Sequence, residues 1–178
     1  MTDVVLRPMR AEDVPGVVDV QEPASVAGLS GVFPQHLHPF PRRAVEDRWY
    51  AEIQDPLVDC FVIERDLAIV GFAAVSGDEV KHLGVGLDEW GTGTAAEAHD
   101  ELIALMRRRG VVRPWLRVYT ANPRGRRFWE KQDWVDTGER SRGPLPPHAE
   151  LMTYALEARP GQSPGSPASA GERPVRSR

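Results

Sequence analysis

Residues 79–102 read EVKHLGVGLDEWGTGTAAEAHDEL. The stretch opens as a strand, passes through Gly91 and Gly93, and continues as a helix to about Arg108. A glycine loop between strand and helix leaves the first backbone N–H groups of the helix without internal partners, which suits an anion. Two familiar forms of such a loop do not fit. No Lys-Ser or Lys-Thr follows the glycines, as a nucleotide-triphosphate loop requires. A dinucleotide fingerprint would place Ala96 at its third glycine, and the unit sits mid-chain after a hairpin. Taken alone, the loop is equally a tight turn that needs small residues.

Working outward, the chain reads β-α-α-β-β-β-α-β-α-β-β. DVVLRP is a short first strand, followed by helical spacing in AEDVPGVVDVQ and in RRAVEDRWYAEIQ. Between them, residues 22–41 (EPASVAGLSGVFPQHLHPFP) are interrupted by glycine and proline and predict no long helix. LVDCFVIE and LAIVGFAAVSG form a hairpin about Arg65 and Asp66. Gly110 closes the helix of the opening stretch, with Arg107, Arg108 and Arg109 at its negative end. VRPWLRVYT is a strand, and NPRGRRFWEKQ is a helix capped by Asn122 with Pro123 in its first turn. DWVDTGER and AELMTYALEA are the last strands. The hairpins imply antiparallel pairing, and the strand-helix-strand segment implies one parallel pairing. The expected class is α/β (α+β): a mixed, mostly antiparallel central sheet with helices on both faces.

Composition narrows the function. The chain has 178 residues, 41% of them hydrophobic, which predicts one domain with a real core. Residues 1–158 form that domain, and the Pro/Gly/Ser-rich residues 159–178 are expected to be a disordered tail. A net charge of -4 argues against a nucleic-acid partner. Cys60, the only cysteine, allows no internal disulfide and reads as a buried thiol on a strand. No signal peptide or membrane-length apolar run is visible, so a cytoplasmic location and no membrane partner are expected.

The opening stretch resembles the acetyl-CoA-binding region of the GNAT acyltransferase superfamily. In that motif a strand ends in a valine and a turn, then Gln/Arg-x-x-Gly-x-Gly/Ala opens a helix. Val85 stands at the valine, Gly93 at the glycine and Ala95 at the last small residue. Trp90 replaces the usual Gln or Arg, and Thr92 a frequent basic residue. ERDLAIVGFAAV resembles the preceding hairpin, RVYTANPRGRRFWEKQDWVDTGE the later helix and strand, and VVLRPMRAEDVPGV the first strand and helix. The match is weakest over residues 22–48 and 140–147.

The resemblance implies acetyl-CoA as co-substrate and no metal. The N–H groups of Gly91, Thr92, Gly93, Thr94 and Ala95 would receive its pyrophosphate, beside Trp90. Val85 would offer main-chain contacts to pantetheine and Asn122 a side-chain contact. The arginines at 124, 126 and 127 read as a solvated face or as contacts to the 3′-phosphate of CoA or a substrate carboxylate, with Arg127 the expected cofactor contact.

The implied reaction, attack of an amine on a thioester, needs a base, an oxyanion donor and an acid. The family often takes its base from the motif strand six residues before the valine, here Glu79. Under regular alternation Glu79 shares a face with Lys81, Leu83 and Val85, and His82, the second candidate, faces the other way. The Val85 N–H is the expected oxyanion donor. The family's usual acid, a tyrosine on the late helix, is Trp129 here, and indole supplies no proton. Tyr119 is the nearest replacement. Phe33, His36, His38 and Trp49 would line the acceptor cleft, and the two histidines lack a third metal ligand. The expected function is N-acetylation of a primary amine on a small molecule or peptide, with self-association as a homodimer compatible with the family. The alternative is a catalytically weak acyl-CoA-binding sensor or assembly module.

Overall fold

A computed structural model describes residues 4–157. Residues 159–178, expected to be a tail, lie outside the described residues. The strands are β1 Val5–Pro8, β2 Asp59–Arg65, β3 Ala68–Ser76, β4 Glu79–Val85, β5 Trp115–Tyr119, β6 Trp134–Arg142 and β7 Glu150–Leu156. The α-helices are α1 Val14–Gly28, α2 Arg42–Gln54, α3 Thr94–Arg108 and α4 Pro123–Lys131. Their order in the chain is the one the sequence predicts. The seven strands make one sheet, β1-β2-β3-β4-β5-β7-β6. Every neighbouring pair is antiparallel except β4 and β5.

The sheet is buried on both faces because its central strands carry apolar residues at consecutive positions. On β3, Phe72 and Ala74 join Val14, Val17 and Val18 of α1 and Val45 and Trp49 of α2. Ala73 and Val75 face the other way, into a core with Leu102, Ile103 and Met106 of α3 and Trp129 of α4. The two helix pairs therefore occupy opposite faces. The β2–β3 turn places Asp66 at φ 52° and Leu67 at φ 64°. Two successive left-handed residues match the twist of a tight hairpin, even though neither is glycine.

One sequence expectation is corrected. Helix α1 does not stop before Pro23 but runs through it to Gly28. Proline removes a single backbone bond, the one to the carbonyl of Asp19. The turn beyond is retained: the Leu29 N–H donates to the Ser25 carbonyl at 2.9 Å, and Arg42 of α2 bonds Asp19 at 2.6 Å and Glu22 at 2.9 Å. The extension carries Ala24, Ser25 and Gly28 onward from the buried Gln21, on one helical stripe.

Close strand contact constrains β3. A Cβ at Gly71 would stand 2.5 Å from the Gly84 carbonyl oxygen and 2.9 Å from Cδ1 of Ile63. Gly71→Ala should push β4 away from β3 and destabilise the fold by about 1–3 kcal/mol. Urea denaturation would show this as a lower midpoint with an unchanged slope.

Candidate functional site

The site begins where β4 and β5 part. The two strands share a single register pair, Glu79 with Trp115, and diverge beyond it. Between them opens a cleft of about 650 Å³. It passes through the sheet: Gln21, Ser25 and His82 line it from the α1–α2 side, and Ala95, Phe128 and Trp129 from the α3–α4 side.

A bulge in β4 decides which side chains face the cleft. Val75 pairs with Val80 and Ala74 with His82, so Lys81 is the extra residue. Val80, Leu83 and Val85 consequently share the α3 face, packing with Leu102 and Ala98. Lys81 and His82 both point to the opposite face and meet Glu52 of α2 at 3.3 Å and 2.9 Å. The regular alternation expected for Glu79, Lys81, Leu83 and Val85 therefore does not hold. Past the bulge, the Gly86 N–H donates to Val70 on β3 at 2.9 Å. By the alternation of an antiparallel ladder, the N–H of Val85 then faces the gap left by β5.

His82 and Glu52 form the central polar pair. His82 Nε2 lies 3.1 Å and 2.9 Å from the two carboxylate oxygens of Glu52. Burial lowers the pKa of His82 below its ordinary 6.5, against the opposing pull of Glu52. Burial would raise Glu52, but the hydrogen bond from His82 and the charges of His82, Lys81 and Arg48 bring it below 4.5. Trp49 is fully buried behind this pair, with its ring 5.0 Å from that of His82 and its Nε1 donating to Gln21 at 2.8 Å.

Arg48, one turn before Glu52, is not satisfied. Its Nε and Nη2 are buried and have no hydrogen-bond partner among the described residues. Unmet buried donors cost about 1–3 kcal/mol each. Burial lowers the Arg48 pKa despite the charge of Glu52. The Cys60 thiol nearby is pushed up to about 11 by burial and by Glu52, which makes it a poor nucleophile.

Glu79 binds Arg117 of β5 at 2.8 Å, at the closed end of the strands, and does not line the cleft. Tyr119 does line it, and its ring stands edge-on to Phe33 at 5.3 Å. Burial raises the Tyr119 pKa above 10. Phe33, His36, His38 and Trp49 do not line the cleft: Phe33 backs Tyr119, His38 stands edge-on to Phe33 at 6.4 Å, and His36 is exposed. Among the described residues no group of three His, Cys, Asp or Glu could hold a metal ion.

The glycine loop has the form the sequence predicts. Gly91 and Gly93 adopt φ values of 80° and 98°, a region that favours glycine. Among the described residues the N–H groups of Gly91, Gly93 and Ala95 have no partner, and all three residues line the cleft. Thr94 is buried instead, its hydroxyl bonded to Glu89, Thr92 and Arg65, and it holds the loop from behind. Thr92 likewise turns its hydroxyl to Glu89 at 3.2 Å. Opposite, Asn122 caps α4 by accepting from the Gly125 N–H at 2.9 Å. Arg124 stacks 3.6 Å over the Trp90 ring, and Arg127 reaches the same cleft. Arg126 turns away toward the Thr120 carbonyl at 3.4 Å and Glu130 at 4.0 Å.

The Acetyltransferase (GNAT) family model matches residues 28–134. The chain belongs to the GNAT acetyltransferase family. No curated protein matches it. Solved structures of the same fold include an acetyltransferase from Thermus thermophilus, 19% identical, with a TM-score of 0.69 over 87% of this chain and 98% of that one. The ribosomal-protein-S18-alanine N-acetyltransferase of Escherichia coli is 18% identical, with a TM-score of 0.64 over 92% and 99%. The PaiA N-acetyltransferase of Thermoplasma acidophilum, in complex with coenzyme A, is 14% identical, with a TM-score of 0.66 over 85% and 98%. Among the described residues of this GNAT domain no helix is long and apolar enough to cross a membrane.

Sequence reasoning missed Gln21, Ser25, Arg48 and Glu52. Gln21, Ala24, Ser25 and Gly28 fall at one helical spacing, but Pro23 suggested an interruption. Arg48 and Glu52 fall three and seven residues after Val45, on the helix face that buries Val45 and Trp49. Two charges on an apolar stripe were the available signal.

His82 and Glu52 make the fold sensitive to acid. A buried histidine with a lowered pKa takes up its proton later than in the unfolded chain, so stability falls as pH drops below 6.5. Glu52 adds a further loss below about 4.5. Urea titrations at pH 7 and pH 5 should show a smaller loss for His82→Gln than for the wild type.

Proposed function

We propose that this chain transfers an acetyl group from acetyl-CoA to a primary amine of a small molecule or peptide, by direct attack and without a covalent enzyme intermediate. The reading rests on one observation above the rest: His82, held by Glu52, stands on the wall of a cleft that passes through the sheet to the glycine loop. Acceptor and donor would then enter from opposite sides of the sheet and meet at His82.

The loop chemistry fits the donor. The unpartnered N–H groups of Gly91, Gly93 and Ala95, at the positive end of α3, would receive the pyrophosphate. Trp90, with Arg124 stacked on it, and Arg127 flank that position. Asn122 and the free edge of β4 at Val85 would contact the pantetheine arm. The N–H groups of Thr92 and Thr94, expected from the sequence to join those of Gly91, Gly93 and Ala95, are instead taken up by the Glu89 carbonyl and the Thr92 hydroxyl, each at 3.4 Å, so these two residues brace the loop.

The Glu52 carboxylate accepts from Nε2–H of His82, which leaves the lone pair at Nδ1. His82 Nδ1 takes the proton from the acceptor amine, and the nitrogen attacks the thioester carbonyl. The developing oxyanion meets the Val85 N–H. As the C–S bond breaks, the Tyr119 hydroxyl gives its proton to the thiolate, and the proton held by His82 passes through solvent to the tyrosinate, which restores both groups. We assign His82 rather than Glu79 as the base, because Glu79 is tied to Arg117 outside the cleft wall.

One observation favours a second reading, an acyl-CoA-binding sensor or assembly module. Trp129, at the position of the family's usual acid, is 8% exposed and offers no transferable proton. A thiol-release assay with acetyl-CoA and a panel of amines separates the two. Amine-dependent release should fall about 10²–10⁴-fold in His82→Ala and survive in Glu79→Gln. The acid limb of the kcat profile should lie below pH 6.5. Glu52→Gln should move that limb lower still, since Glu52 is what supports His82 protonation. Tight binding of acetyl-CoA with no release for any amine would establish the second reading instead.

A further inference from the structure

We infer that the acceptor is a small amine carrying a carboxylate next to its amino group, an α-amino acid, and that Arg48 binds that carboxylate. The inference rests on the acetyl-transfer reading above and names the acceptor class of that same site.

The two unpartnered atoms of Arg48, Nε and Nη2, are the adjacent donors along one edge of the guanidinium. That edge matches the two oxygens of a carboxylate. Elsewhere in this chain the same edge meets a carboxylate. Arg7 directs Nε and Nη2 to a single oxygen, Oε1, of Glu64 at 3.0 Å and 2.6 Å, and Arg113 directs both to Oε1 of Glu157 at 3.0 Å and 2.8 Å. Among the described residues Arg48 has both atoms of this edge buried without a hydrogen-bond partner, whereas Arg126 leaves only Nε so. Its natural partner one helical turn away, Glu52, is committed to His82 and Lys81.

Position connects the empty edge to the chemistry. The Arg48 guanidinium lies 5.5 Å from the Trp49 ring centroid, and that ring lies 5.0 Å from His82. The charges of Glu52 and Tyr119 both act on Arg48. It therefore stands behind the wall formed by His82 and Tyr119, the proposed base and acid. Positions 48 and 52, one turn apart on α2, place a cation and an anion side by side, as on a helix at i and i+4. An α-amino acid presents the complementary pair at a separation of one carbon. The ammonium faces His82, where it loses its proton, with Glu52 behind it; Arg48, which like Glu52 does not line the cleft of the free protein, takes the carboxylate. The edge is closed to solvent in the free protein, so Arg48 turns about its side-chain torsions to meet the ligand.

The test compares L-phenylalanine and glycine with their amides in the thiol-release assay. Wild type and Arg48→Lys are measured, with Arg48→Met as a further variant. The acid-to-amide ratio of kcat/KM is expected to fall at least tenfold in both variants, mainly through KM of the acid. Comparing ratios between proteins cancels the different basicities of acid and amide amines. Lys keeps the charge but not the two-donor edge, so full retention of the ratio by Arg48→Lys overturns the bidentate contact. Glycylglycine, whose carboxylate lies a residue farther from its amine, is expected to behave like the amides. Acetyl-CoA titration of each variant confirms that the donor side is intact. Calorimetric titration of the CoA-bound protein with L-phenylalanine reads acceptor binding without turnover. Arg48-dependent binding with no release would sink the transfer reading, and with it the acceptor role, while leaving the contact of Arg48 with an α-amino acid carboxylate standing. Equal use of acids and amides by the wild type would overturn the inference while leaving acetyl transfer standing. Absence of both binding and turnover across the panel would also overturn it.

Discussion

The parting of β4 from β5 is the constraint on which the rest depends. A parallel pair that holds for a single position leaves a run of backbone groups in the middle of the sheet without strand partners. The separation opens the cleft through both layers, turns the Val85 N–H into a free donor and aims the start of α3 at the opening. The bulge at Lys81 belongs to the same distortion. It sends Lys81 and His82 together to the α2 face, while Val80, Leu83 and Val85 stay in the core on the other side. The ion pair of Glu79 with Arg117 closes the strands at the end where they still touch.

The charges around the cleft are divided by side. Toward α3 and α4 the wall is positive, from helix N–H groups and from Arg124 and Arg127. Glu89 does not offset this, since it is taken up by Arg65 at 2.7 Å and by the threonine hydroxyls. Toward α2 the charges are mixed and buried. Desolvation keeps His82 neutral, and Glu52 is held ionised by His82, Lys81 and Arg48. A neutral histidine beside a carboxylate can accept a proton at neutral pH, which a fully exposed pair of the same residues would do less selectively.

The elements were legible because their signals are local. The glycines at 91 and 93, the cap at Asn122, Gly110 behind α3 and the apolar runs of β2 and β3 act within a few residues of chain. So does the family motif, which is a local backbone shape written in small residues. Pro23 misled because its local meaning was outweighed by packing and by Arg42. Which side chains face the cleft was less legible. Glu79 and His82 were both candidates, and their placement turns on strand alternation, which a single extra residue reverses.

By itself, then, the sequence determined the order of the elements, the mixed sheet and the glycine loop, since each depends on neighbours along the chain. Tertiary structure alone decided the polar site. Glu52 lies thirty residues from His82 in the chain, and only the packing of α2 against the bulged strand brings them within 2.9 Å. The same packing buries Nε and Nη2 of Arg48 with no hydrogen-bond partner among the described residues, a fact about three-dimensional enclosure that no spacing in a sequence encodes.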